Sequence, residues 1–150
     1  MNTSNTTIKA LNWLDKTEYP FESKYITIDG NKIHYIDEGE GDLILFIHGT
    51  PSWSFEYRNL IKGLSNNFRC VAFDHIGFGL SDKPEKHEYT VANHARTLGK
   101  FIDAMELSDI NLVCHDFGGP ISFQYVVTDK SKIKSLIALN TWAWSNEGEA

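Results

Sequence analysis

The sequence predicts an α/β fold, a mostly parallel sheet with helices on both faces, and three observations carry that prediction. Leu43-Ile44-Leu45-Phe46-Ile47 and Cys70-Val71-Ala72-Phe73 are continuous apolar runs, as expected of parallel strands covered on both sides. Segments with helical spacing lie between such runs, so strands and helices alternate along the chain. In Leu112-Val113-Cys114-His115-Asp116-Phe117-Gly118-Gly119-Pro120, an apolar strand enters a tight turn of small residues with a carboxylate at its apex.

Taken in order, residues 1–18 are expected to be a flexible tail, with a short turn of helix before Phe21. Tyr25 to Ile28 and Lys32 to Ile36 alternate apolar and polar residues around Asp29-Gly30-Asn31, the pattern of a β-hairpin. The run 43–47 ends in His48-Gly49-Thr50-Pro51. Phe55 to Leu64 then shows helical spacing, with Tyr57, Leu60, Ile61 and Leu64 on one side. The strand 70–73 leads into Asp74 and a glycine-bearing loop, Gly77-Phe78-Gly79, in which the charged residues are read as stabilising turns. Val91 to Leu107 is the longest helical pattern, turning Ala95, Leu98, Ile102 and Met105 toward the sheet. Ile110 to Val113, Ile121 to Val127 and Ile133 to Leu139 complete the pattern as strand, helix and strand. Residues 1–150 thus read as part of a single core domain, without linker or repeat.

Composition narrows the function classes. A net charge of −6 with no basic stripe argues against nucleic-acid binding. The longest apolar runs are too short to span a bilayer, and Met1 to Thr7 has no apolar signal region. Cys70 and Cys114 each sit in a strand-like run rather than a Cys-x-x-Cys pair, which suits reduced, buried thiols and a cytoplasmic protein. The histidines show no metal-ligand spacing, so the reading calls for no metal and no cofactor.

The chemistry centres on Asp116. A strand, a sharp turn and a helix present its side chain as a nucleophile elbow presents its serine in the α/β-hydrolases. Cys114, Gly118 and Gly119 are small enough for such a turn to close. A carboxylate there suits attack on an sp³ carbon bearing a leaving group, giving an alkyl ester that water then hydrolyses. The bland alternative makes Asp116 a helix N-cap. The loop His48-Gly49-Thr50-Pro51 follows a strand expected beside the elbow strand, so the backbone N–H groups of Thr50 and Phe117 would form an anion-binding pocket. His48 reads as structural, and His115 points away from the side of Asp116 because neighbouring strand residues alternate faces.

His48 to Arg58, Gly77 to Ser81, His115 to Pro120 and Asn140 to Trp144 together resemble the haloalkane dehalogenases, in order and spacing, over nearly the whole chain from Tyr19 onward. The resemblance implies an α/β-hydrolase fold cut before its cap and later strands, with Asp116 as nucleophile and Thr50 and Phe117 as oxyanion and halide-binding residues. It implies that a histidine with an acidic partner activates water, and places both beyond residue 150. Asn140 stands where one branch of the family carries its acid. Phe117 replaces the family's usual tryptophan and has no side-chain donor for a halide; Trp53, Trp142 and Trp144 read as packing residues. The implied partners are a small apolar haloalkane and water. An epoxide hydrolase with the same nucleophile is the alternative enzyme. A non-catalytic fragment that self-associates through an exposed sheet edge is the alternative from another class.

Overall fold

The computed structural model describes residues 13–143. Its first strand, β1 (Lys24–Ile28), pairs antiparallel with β2 (Asn31–Glu38). Asp29 and Gly30 join them with φ of 50° and 79°, the double left-handed turn that suits the twist of a hairpin. β2 then pairs antiparallel with β4 (Phe68–Phe73), and from there the sheet is parallel, through β3 (Asp42–Ile47) and β5 (Ile110–His115) to β6 (Ile133–Leu139). The spatial order is β1-β2-β4-β3-β5-β6.

Alternation along the parallel strands divides the core into two layers. Leu43, Leu45 and Ile47 of β3 face helices α2 (Val91–Ala104) and α3 (Gly118–Thr128), joining Val71, Phe73, Leu98, Phe101, Leu112 and Ile121. Phe46 faces the other way, with Cys70, Ala72 and Val113, against Tyr57 and Ile61 of the opposite layer. Both cysteines are free and fully buried, one in each layer. Burial pushes the Cys70 thiol up to about 11, and raises Cys114 as well.

Two expectations need correction. The tail expected over 1–18 holds ordered packing at its end: Leu14 is buried in the second layer, and Trp13 lies 6.1 Å from Trp53, ring to ring. Residues 1–12 of that tail lie outside the described residues, as does Trp144. The helix expected over 55–64 begins as a 3-10 turn, Ser54–Tyr57, before α1 (Arg58–Leu64). Three residues per turn shift the phase. Tyr57 and Ile61 are therefore buried, while Leu60 is 46% exposed. No helix among the described residues is long and apolar enough to cross a membrane.

The register aligns the strand ends. Ile47 pairs with Phe73 on one side and Cys114 on the other, and His115 pairs with Leu139. The segments beginning at His48, Asp74, Asp116 and Asn140 therefore leave the same carboxyl edge of the sheet, where ligands bind in open α/β folds.

Candidate active site

Asp116 sits at the apex of the β5–α3 turn with φ of 49°. A left-handed backbone costs a non-glycine residue of order 1–3 kcal/mol unless its surroundings impose it. Here the Asp116 carbonyl oxygen accepts the Gly119 N–H (3.0 Å) and the Thr141 hydroxyl (2.6 Å), and its N–H reaches Leu139 O (3.4 Å). The glycines answer a demand for space. A Cβ on Gly118 would fall 2.3 Å from Ile47 O, and one on Gly119 would fall 1.8 Å from Thr141 Oγ1. Asp116 is not the helix cap: that place belongs to Phe117, without a side-chain bond.

The Asp116 side chain turns instead to the loop after β3. Its Oδ1 accepts the Thr50 N–H at 3.0 Å. Partial burial would raise the carboxyl pKa. The Thr50 and Phe117 backbone N–H groups outweigh that effect and, with smaller help from His115 and the Thr50 hydroxyl, hold it below its ordinary value. The two donors expected to make an anion pocket thus converge on the carboxylate of Asp116 itself. Their anion is an oxygen of this side chain, which bears on the halide-binding role expected of Thr50 and Phe117.

The remaining polar groups build the frame. His48 Nδ1 donates to Gly49 O (2.7 Å) and its Nε2 accepts the His75 N–H (2.9 Å), fixing one neutral tautomer. Burial lowers its pKa, as befits a structural histidine. Asp74, fully buried, accepts from Ser54 N–H (2.9 Å), Leu80 N–H (2.8 Å) and His34 Nδ1 (2.8 Å). Burial opposes its charge, yet His34 and the Leu80 N–H, with help from His48, keep its pKa below the usual value. It holds the loop after β4 to the loop after β3, the turn-stabilising role expected of that segment.

Beside Asp116 lies a cavity of about 410 Å³, lined by Thr50, His75, Phe78, Tyr89, His94 and Phe117 among others. Its walls are aromatic and apolar. Burial drives His75 well below its ordinary pKa and His94 down to about 4, so both imidazoles are neutral near pH 7. Phe117 is 39% exposed and meets the Trp142 ring edge-on at 5.2 Å. Trp53 stacks on Phe55 at 5.5 Å and lies 5.0 Å from Tyr19, in a packing role. Asn140 follows β6 directly, with φ of 40°.

Sequence reasoning missed Glu56. Its Oε2 accepts the Gly49 N–H at 3.3 Å and its Oε1 contacts His115 Nδ1. No local pattern announces a contact to a residue 59 positions away.

Residues 42–149 match the model of the alpha/beta hydrolase fold family. The chain is 43% identical to haloalkane dehalogenase 2 of Mycobacterium tuberculosis over 130 residues, 87% of this chain and 46% of that protein. It is equally, 43%, identical to a cis-3-alkyl-4-alkyloxetan-2-one decarboxylase of Shewanella oneidensis over 131 residues, 85% of this chain and 41% of that one. Among solved structures, an epoxide hydrolase from Vigna radiata superposes with a TM-score of 0.80 at 27% identity, covering 89% of this chain and 44% of that one. A haloalkane dehalogenase from Agrobacterium tumefaciens gives 0.76 at 28%, covering 80% and 41%. The chain spans less than half the length of each of these relatives.

Proposed function

The chain belongs to the alpha/beta hydrolase family, and from that premise we propose that Asp116 is the nucleophile of a haloalkane-dehalogenase-like hydrolase. The observation that carries the reading is the carboxylate at the elbow apex, its Oδ1 held by the Thr50 N–H at 3.0 Å. Oδ2 attacks the halogen-bearing carbon, the carbon–halogen bond breaks, and halide departs with the bonding pair. The product is an Asp116 alkyl ester. When water adds to its carbonyl carbon, negative charge collects on Oδ1, where the Thr50 N–H already points, with the Phe117 N–H beside it at the same carboxylate.

The histidine and acid that would activate this water belong, in this reading, outside residues 1–150. Inside the chain, His48 is committed to Gly49 and His75, and burial lowers the pKa of the cavity-lining His75 and His94. The step assigned to these residues is therefore ester formation. The apolar cavity supports an uncharged organic substrate.

Phe117 favours a second reading. Without an indole N–H to receive a halide, the site suits strained oxygen rings, whose leaving oxygen stays tethered to the substrate. The epoxide hydrolase and oxetanone decarboxylase relatives stand beside the dehalogenases in that respect. A further feature supports self-association: β6 pairs only with β5 among the described strands, and Leu136, Ile137 and Leu139 on it are exposed.

Intact mass after incubation with a bromoalkane or an epoxide tests the reading. An alkyl-sized gain mapping to Asp116 and absent in D116A supports dehalogenation, whereas a gain equal to the whole epoxide supports ring opening. Folded protein that takes neither adduct overturns ester formation by this chain.

A further inference from the structure

The two N–H donors that hold Asp116 come from segments that the sheet itself does not join. Thr50 follows β3 and Phe117 follows β5, and the last paired residues of those strands are Ile47 and Cys114. Beyond that rung, loop and elbow meet where Gly49 and Thr50 lie against Asp116, and a side chain can add a further link. Glu56 is placed to provide it. Its Oε2 accepts the Gly49 N–H at 3.3 Å, one residue before the Thr50 donor. Its Oε1 contacts His115 Nδ1, one residue before Asp116.

The platform under Glu56 is fixed from three directions. Ser54 N–H donates to Asp74 Oδ1 (2.9 Å), the Tyr57 hydroxyl donates to Ile47 O (2.9 Å), and Ser54 Oγ shares a 2.6 Å hydrogen bond with Tyr19. The Glu56 side chain is largely covered, at 21% exposure, and neither it nor His115 lines the cavity beside Asp116. The pair thus stands outside the walls of that cavity.

We propose that Glu56 is a positioning residue that sets the distance between the Thr50 N–H and Asp116 Oδ1 by tying Gly49 to His115. The inference rests on the proposed ester chemistry only for its kinetic consequence. Charge collects on Oδ1 when a nucleophile adds to the ester carbonyl, so a loosened donor slows ester cleavage and leaves ester formation, at Oδ2, much less affected.

Two readouts on the 150-residue chain test this, with E56L and E56Q beside the wild type. First, protein carrying the Asp116 ester from a bromoalkane is treated with hydroxylamine. Its nitrogen adds to the carbonyl carbon, the ester C–O bond breaks, the alcohol leaves with a proton, and Asp116 remains as the hydroxamate. Ester formation in E56L should stay within a few-fold of wild type while cleavage slows about 10-fold or more, since loss of an oxyanion donor typically costs about 10²–10³. E56Q, which keeps an acceptor for Gly49, should recover part of the rate. Second, amide hydrogen exchange at Thr50 needs no substrate, and should accelerate in E56L while exchange at Val71 in the core stays at its wild-type rate. Equal cleavage in wild type and E56L overturns the proposal, as does unchanged exchange at Thr50 or acceleration throughout the core. If wild type takes no adduct, the proposed reaction fails, and Thr50 exchange still decides the role of Glu56.

Discussion

Gly49 and Asp116 stand so close that a Cβ on Gly49 would lie 2.5 Å from the Asp116 Cβ and 2.8 Å from its Oδ1. The loop after β3 therefore backs the Asp116 carboxylate as well as supplying a donor to it. Because Asp116 is already fixed by its own backbone partners, the methyl of G49A must push the carboxylate or the loop aside. Adduct formation with a bromoalkane should fall about 10²-fold, the usual scale for displacing a reacting group by an ångström. Mass spectrometry of G49A, with circular dichroism to confirm the fold, checks this.

Phe117 offers a gain-of-function test. F117W places an indole N–H next to the elbow, where Phe117 now has none. Alkylation by a bromoalkane should rise roughly 10-fold or more if a departing halide is the species the site must receive. Reaction with an epoxide should change little. The ratio of the two adduct rates, wild type against F117W, is the measurement.

Asp74 should be among the most costly residues to remove. D74A leaves His34 and two loop N–H groups buried without their acceptor. Loss of one partner of a buried polar pair costs about 3–5 kcal/mol, which urea unfolding would read as a lower midpoint. Its folded pKa lies below the unfolded value near 3.8, so its contribution is present above that pH and is lost as pH falls through the folded value.

The buried histidines set a separate acid limit. His48, His75 and His94 have folded pKa values below 6.5, with His94 at about 4. As pH falls below 6.5 the unfolded chain binds protons that the folded chain refuses, so stability drops. Each group contributes a slope of at most about 1.4 kcal/mol per pH unit. Above pH 6.5 this contribution is complete. H94Q should flatten the slope between 6.5 and about 4, measured as urea midpoints across that window.

Leu60 and Ile61 separate the helical pattern from the observed packing. L60A should shift stability by no more than about 0.5 kcal/mol, while I61A should cost about 2–5 kcal/mol. Thermal or urea unfolding of the two variants decides it.

The hairpin, the parallel strands and the elbow were legible because each is written in consecutive residues: Asp29-Gly30, the run 43–47, and Gly118-Gly119 after a strand. Expecting the His48 loop beside the elbow was also sound, since β3 pairs directly with β5. What stayed hidden was set by partners distant in the chain. Glu56 acquires its place from Gly49 and His115, and Asp74 from His34. Leu60 misled because a 3-10 turn shifts the helical phase, and composition does not distinguish three residues per turn from 3.6. Leu14 and Trp13 looked like tail because their contacts, with Trp53 and the second layer, arrive only when the sheet is formed.

The conformation at position 116 is imposed by groups that never touch the side chain: the Gly119 amide, the Thr141 hydroxyl and the Leu139 carbonyl all meet the main chain. The turn is therefore a socket held through its main chain, separately from the contacts that its side chain makes with Gly49 and Thr50. A change of the apical residue alters the group that the turn presents while those main-chain contacts remain available. For a lineage of enzymes, that separates inventing a new chemistry from keeping an old fold.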